Sequence, residues 1–204
     1  MSLVSFRVWF LKVMTPFTKW FGAIHLPGSD KLIKETDGSE IKRLARPGMV
    51  ILTRMNGAAG SNTLLAGDFW KHAAIVAPNG VSVIEATSKG VVRTSLEYFL
   101  YSKDYAVVLM PTFAHVVEMY AAARWAESQI GKPYDYEFKK GWESFYCSEL
   151  ATDAYMVATG SSSPFVRHEI FGVNSVKPQD FRNAKLKWTE VYLTESACAL
   201  PAAA

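Results

Sequence analysis

Between residues 49 and 110 the chain breaks into short apolar runs separated by turn residues, and this pattern constrains the fold more than any other feature. The runs are Met49-Val50-Ile51-Leu52-Thr53, His72-Ala73-Ala74-Ile75-Val76, Val81-Ser82-Val83-Ile84-Glu85-Ala86 and Tyr105-Ala106-Val107-Val108-Leu109-Met110. Each reads as a strand, and Gly90-Val91-Val92-Arg93 extends the sheet. The turn residues Pro78-Asn79-Gly80 join the second and third runs as a β-hairpin. Leu96 to Tyr101 reads as a short helix. Residues 111–129 read as a long one, with Val116, Met119, Tyr120 and Ala123 on one face and Gly131 and Pro133 as its stop. A further helix is expected from about Cys147 to Ala158, ended by Gly160. Residues 161–181 read as loop, and Trp188 to Leu193 as a last strand. The order strands, helix, helix, strand is that of an α+β domain, a small antiparallel sheet packed against helices.

With 204 residues, half of them hydrophobic and 13% aromatic, the chain can bury a substantial core and is not a disordered polypeptide. Mean hydropathy is only +0.05, which excludes a polytopic membrane protein. The net charge of +3 is small and scattered, so no nucleic-acid partner is expected. The two cysteines, Cys147 and Cys198, form neither a disulfide framework nor a C-x-x-C pair, which points to a reducing, cytoplasmic setting. No metal-ligand spacing and no phosphate loop occur, and no cofactor is expected. Gly57, Gly60 and Gly67 lie in a loop that either borders a groove or simply connects two strands.

Residues 1–26 have helical apolar periodicity through Phe6, Trp9, Phe10, Val13, Phe17, Trp20, Phe21 and Ile24, with Pro16 as a break or kink. Arg7, Lys12 and Lys19 interrupt the stretch, which reads as neither a signal peptide nor a spanning helix. Two readings stay open: docking on protein, or peripheral contact with a membrane, aromatic residues inward and lysines toward headgroups. Residues 29–46 read as a connecting segment. The expected organisation is an extension and linker over 1–43, a domain over 44–195 and a flexible tail over 196–204.

Two local patterns carry chemistry. Cys147 follows Trp142-Glu143-Ser144-Phe145-Tyr146 and opens a predicted helix. Unpaired N–H groups and the partial positive charge of a helix start stabilise a thiolate, and can also hold an oxyanion. The plainer reading is a small buried apolar residue. His72 and Glu85 lie on facing strands of the hairpin. If Pro78 and Asn79 are the central turn residues, His72 lies opposite Glu85. If Asn79 and Gly80 are central, Glu85 pairs with Ala74, on the same face and one step along. Either register brings a carboxylate to the imidazole, where it would fix the tautomer. The plainer reading is a strand-end histidine and a solvated glutamate. His25, His115 and His168 stand alone and read as surface or capping residues.

Several segments, in order, resemble a known family. They are Arg46-Pro47-Gly48-Met49-Val50-Ile51-Leu52, Lys71-His72-Ala73-Ala74-Ile75-Val76, Val83-Ile84-Glu85-Ala86 with Gly90-Val91, Ile130-Gly131-Lys132-Pro133-Tyr134-Asp135-Tyr136, Phe145-Tyr146-Cys147-Ser148-Glu149-Leu150 and Val176-Lys177-Pro178-Gln179-Asp180-Phe181. Together they are similar to the permuted papain-fold, NlpC-like cysteine hydrolases, in particular the YiiX/YaeF-like amidase group, over residues 44–192. The resemblance implies a papain-like core in permuted order, Cys147 as nucleophile, His72 as general base then acid, and Glu85 as its orienting residue. It also implies Tyr134 as a substrate or oxyanion contact; Tyr146 and Lys71, which flank Cys147 and His72 in sequence, are further candidate substrate-binding residues. Lys71 stands where the family often has Ser, and Met49 where it often has Asp. The function expected is an amidase or peptidase working through an acyl-enzyme. The alternatives are a thiol acyltransferase, esterase or thioesterase acting on lipid-linked acyl groups, and a non-catalytic binding or structural module of the same fold.

Overall fold

A computed structural model describes residues 33–55, 68–101, 103–138, 141–161, 165, 167–170, 173–182 and 188–198. The amphipathic stretch 1–26, His25, most of the glycine-rich loop and residues 199–204 lie outside them. The elements in chain order are α1 (Glu35–Leu44), β1 (Val50–Arg54), β2 (His72–Val76), β3 (Ser82–Thr87), β4 (Gly90–Ser95), α2 (Leu96–Tyr101), β5 (Tyr105–Pro111), α3 (Val116–Ser128), α4 (Cys147–Thr159), β6 (His168–Ile170), β7 (Val173–Ser175), a 3-10 turn (Pro178–Arg182), β8 (Trp188–Leu193) and α5 (Glu195–Cys198).

Six strands form one antiparallel sheet in the order β4-β3-β2-β1-β5-β8, and β6 and β7 form a separate hairpin. β1 is central, and its Val50, Ile51 and Leu52 are fully buried. β1 pairs with β2 through Val50–Ile75 to Thr53–His72, and with β5 through Val50–Leu109 to Arg54–Tyr105. A β-bulge between Val108 and Leu109 shifts the register of β5 against β8. The helices α3 and α4 pack on each other, and both lie against β2 and β3. This is the mixed helix and antiparallel-sheet architecture expected from the strand and helix order.

Four local expectations are corrected. Residues 29–46 are not simply a connecting segment, because α1 occupies Glu35–Leu44 and crosses the boundary expected at 43/44. Its Ile41 is buried, and its buried Asp37 accepts hydrogen bonds from the Tyr192 hydroxyl (2.7 Å) and the Glu195 N–H (3.2 Å). Residues 161–181 contain the β6–β7 hairpin and the 3-10 turn. At the other end, Glu195–Cys198 form α5 with Ala197 buried, so ordered structure continues past residue 195. The long helix starts at Val116 rather than Pro111, because Pro111 still belongs to β5. Its inner face is Met119, Ala122, Ala123 and Ala126, while Val116 and Tyr120 are exposed. The small alanines let the backbones of α3 and α4 approach closely, which turns the helix away from the phase its bulky residues suggest.

The hairpin turn combines features of both predicted registers. Gly80 N–H donates to the Ala77 carbonyl at 2.9 Å, so Pro78 and Asn79 are the inner turn residues. Asn79 Oδ1 then accepts from the Val81 and Ser82 N–H groups, which lengthens the connection. The strands pair Ile75 with Ile84 and Val76 with Val83, and one step further this register sets Ala74 opposite Glu85.

Candidate active site

β2 and β3 pair at only those two positions, although both strands run on toward His72 and Thr87. The start of α4 enters beside the resulting gap, carrying Cys147. The helix begins here because a Glu149 side-chain oxygen accepts a hydrogen bond from the Tyr146 N–H (3.3 Å), the side-chain half of a capping box. Ser148 Oγ donates to the Val176 carbonyl at 2.7 Å, tying the first turn to the segment after β7. Cys147 is 7% exposed.

His72 lies between a carboxylate and the thiol. Its Nε2 is 2.7 Å from Glu85 Oε2. Cys147 is the ring's other hydrogen-bond partner. Burial opposes charge on all three groups, and their mutual interactions prevail. On His72, burial lowers the pKa, but the hydrogen bonds and charges of Cys147 and Glu85 bring it up to about 9. On Cys147, burial raises the pKa, but the His72 hydrogen bond and charge, then the Ala73 and Ser148 N–H groups, bring it below its ordinary value. On Glu85, burial raises the pKa, and His72, Thr94 and Lys103 outweigh it. The arrangement favours a thiolate beside an imidazolium, the state in which a cysteine is a strong nucleophile.

Tyr134 is held near this pair by backbone bonds. Asp135 N–H donates to Phe145 O (3.0 Å), and Phe145 N–H donates to Pro133 O (3.1 Å). One turn earlier, Val91 N–H donates to Lys132 O and Gly131 N–H donates to Val91 O, so the segment is stitched to β4. A Cβ on Gly90 would stand 2.4 Å from Lys132 O, so this close approach needs glycine. Burial and the neighbouring Cys147 charge raise the Tyr134 pKa well above its ordinary value, so the phenol keeps its proton and can donate it in a hydrogen bond.

The other two predicted substrate residues lie differently. Tyr146 is buried, and its hydroxyl accepts from the Val176 N–H at 3.3 Å, bracing the strap behind the helix start. Lys71 precedes His72 in the extended chain, so its side chain leaves on the opposite side. It lies in the electrostatic neighbourhood of Asp68, Arg54 and Lys177, and does not contribute to the His72 shift. Burial lowers its pKa, an effect that Asp68 opposes and the two cations reinforce.

Of the remaining histidines, His115 caps α3, its N–H donating to Glu118 Oε2 at 2.7 Å. His168 is not isolated, because its Nε2 is 2.7 Å from Asp180 Oδ1. Sequence reasoning misses two groups at the site. One is the Ala73 N–H, freed by the strand separation. The other is Thr94, whose Oγ1 donates to Glu85 Oε1 at 2.6 Å. The β3–β4 register, with Glu85 opposite Val92, would have found Thr94 as the diagonal neighbour on the same face. Among the described residues, no group of three or more His, Cys, Asp or Glu side chains is arranged to hold a metal ion.

Residues 45–197 match the family described as permuted papain-like amidase enzymes, YaeF/YiiX, C92 family. The chain belongs to this family. Its members are described as permuted papain-like amidases, which makes the chain a cysteine hydrolase by family, and in this chain the strand that carries His72 precedes the helix that carries Cys147. Among solved structures, the chain is similar to that of metalloprotein yiiX from Escherichia coli O157:H7, with 22% sequence identity and a TM-score of 0.60. That likeness covers 73% of this chain and 97% of the other, and concerns the fold. No curated protein matches the chain.

Proposed function

We propose that this amidase-family protein cleaves an amide bond through an acyl-enzyme on Cys147, with His72 as acid and base and Glu85 as the group that orients it. The observation that carries the reading is the position of the His72 ring, with Nε2 on Glu85 at 2.7 Å and Cys147 on its other side. The thiolate attacks the carbonyl carbon, forming a C–S bond and an oxyanion. Helix-start N–H groups and the Tyr134 hydroxyl are the donors suited to that oxyanion. The imidazolium gives its Nδ1 proton to the amide nitrogen as the C–N bond breaks and the amine leaves. Neutral His72 then takes a proton from water, whose hydroxyl adds to the thioester. Collapse releases the carboxylic acid and restores the thiolate and the imidazolium.

The test is the pH profile of iodoacetamide alkylation, read by peptide mass spectrometry in the wild type and in His72→Ala. The exposed Cys198 is the internal reference. Cys147 should alkylate well below the pH at which Cys198 does, and the difference should shrink in the variant. Amide hydrolysis should fade above about pH 9, where His72 loses the proton needed by the leaving amine. Identical titration of the two cysteines, unchanged by His72→Ala, would leave a binding module with a hydrolase fold. Transfer of the acyl group to an added alcohol or amine in preference to water would assign the acyltransferase alternative. The apolar stretch 1–26 motivates a separate proposal, that the protein sits at a membrane surface on the cytoplasmic side, where lipid-linked substrates would be within reach.

A further inference from the structure

Glu85 is 7% exposed, and each of its carboxylate oxygens has its own partner. Oε2 meets His72 Nε2 from β2, and Oε1 accepts from Thr94 Oγ1 on β4. Glu85 faces Val92 across the β3–β4 pair, so Thr94 reaches it along the diagonal. Lys103, after α2, is the other charged group acting on the carboxylate. Its ammonium lies 5.6 Å from the Phe99 ring centre, and that ring is 6.1 Å from the His72 ring. A carboxylate free to rotate about its last bond could turn either oxygen, or its less basic edge, toward the imidazole. A donor fixed to Oε1 removes that freedom.

We infer that Thr94 is a positioning residue of the catalytic pair, fixing the Glu85 carboxylate so that Oε2 alone faces His72 and the imidazolium and thiolate are held together. The inference rests on the reading of Cys147 and His72 as nucleophile and base. Thr94 touches no reacting atom, and its influence runs through Glu85 to His72 and on to the sulfur. Thr94 donates a hydrogen bond to a charged acceptor, so its removal favours the protonated carboxyl and weakens support for the imidazolium. The thiolate then forms only at higher pH.

The experiment is the pH profile of Cys147 alkylation in the full chain for wild type, Thr94→Val, Thr94→Ser and Glu85→Gln, with Cys198 as reference. Valine keeps the shape and removes the donor, and serine restores it. Thr94→Val should slow alkylation at pH 6 by about three- to tenfold, the range expected when one charge-assisted hydrogen bond is lost in part. Thr94→Ser should recover most of the rate, and Thr94→Val should add little in the Glu85→Gln background. Thr94→Ala serves the same comparison should the valine chain fail to fold. A donor-free variant with the wild-type profile overturns the inference, as does a serine variant as slow as valine. Either result leaves Cys147 and His72 in their proposed roles if wild-type Cys147 still reacts at low pH. A wild-type Cys147 that titrates like Cys198 removes both the reading and the inference.

Discussion

At the scale of the residue, the start of α4 carries a second buried acid with a different task. Burial, and then the neighbouring Asp153 charge, push Glu149 up to about 9, while the Tyr146 N–H and Arg167 pull the other way. An ordinary glutamate has released its proton by neutral pH, so between the two values the folded chain holds a proton that the unfolded chain does not. Stability should therefore fall as pH rises through this window. Glu149→Gln keeps an acceptor for Tyr146 N–H and removes the titration. Thermal melts should show the variant gaining on wild type from pH 5 to pH 8, by at most about 4 kcal/mol over about three pH units. Parallel melting curves would mean that Glu149 does not carry the pH dependence. The same scale separates the legible residues from the others. His72 and Glu85 stand out because a single hairpin brings them together under either register. Thr94 and the Ala73 N–H do not, because one needs the register of a second hairpin and the other depends on two strands parting.

At the scale of the element, the approach of α3 to the start of β1 depends on a missing side chain. Gly48 has φ 86°, and a Cβ there would lie 2.3 Å from the Met119 carbonyl oxygen. Its own carbonyl accepts from the buried Tyr155 hydroxyl of α4. Gly48→Ala combines an unfavourable backbone region with a backbone clash, and should destabilise the domain by about 2–4 kcal/mol in urea unfolding. A loss below about 0.5 kcal/mol would show that α3 can move aside without cost. The elements themselves are legible to different degrees. β1, β2 and β5 are dense in buried valine, isoleucine and leucine, so their apolar runs are visible. The short strands β6 and β7 have no such runs. α1 buries only Ile41 and the polar Asp37 among its helical residues, which leaves too thin an apolar stripe to mark it as packed.

At the scale of the molecule, every group placed at the candidate site lies within the 45–197 family region, and residues 1–26 lie outside it. Among the described residues no helix is long and apolar enough to cross a membrane. The proposal of surface attachment predicts that the full chain partitions onto anionic liposomes and that a chain starting at residue 33 does not, with Cys147 reactivity the same in both. Equal partition of the two chains would end that proposal. Overall architecture is legible because alternating strands followed by two helices admit few packings. The β2–β3 separation that admits Cys147 is a product of tertiary packing and has no local mark. The closure between α1 and the last elements has a consequence during synthesis. Asp37 leaves the ribosome long before Tyr192 and Glu195, which donate to its Oδ1, while the neighbouring Lys34 N–H donates to its Oδ2. A chain cut short before residue 188 must bury that carboxylate without these two donors or leave α1 undocked, and it also leaves β5 without its outer partner β8. Incomplete chains thus carry an open sheet edge and a loose first helix, and the open edge is a template for pairing with other chains.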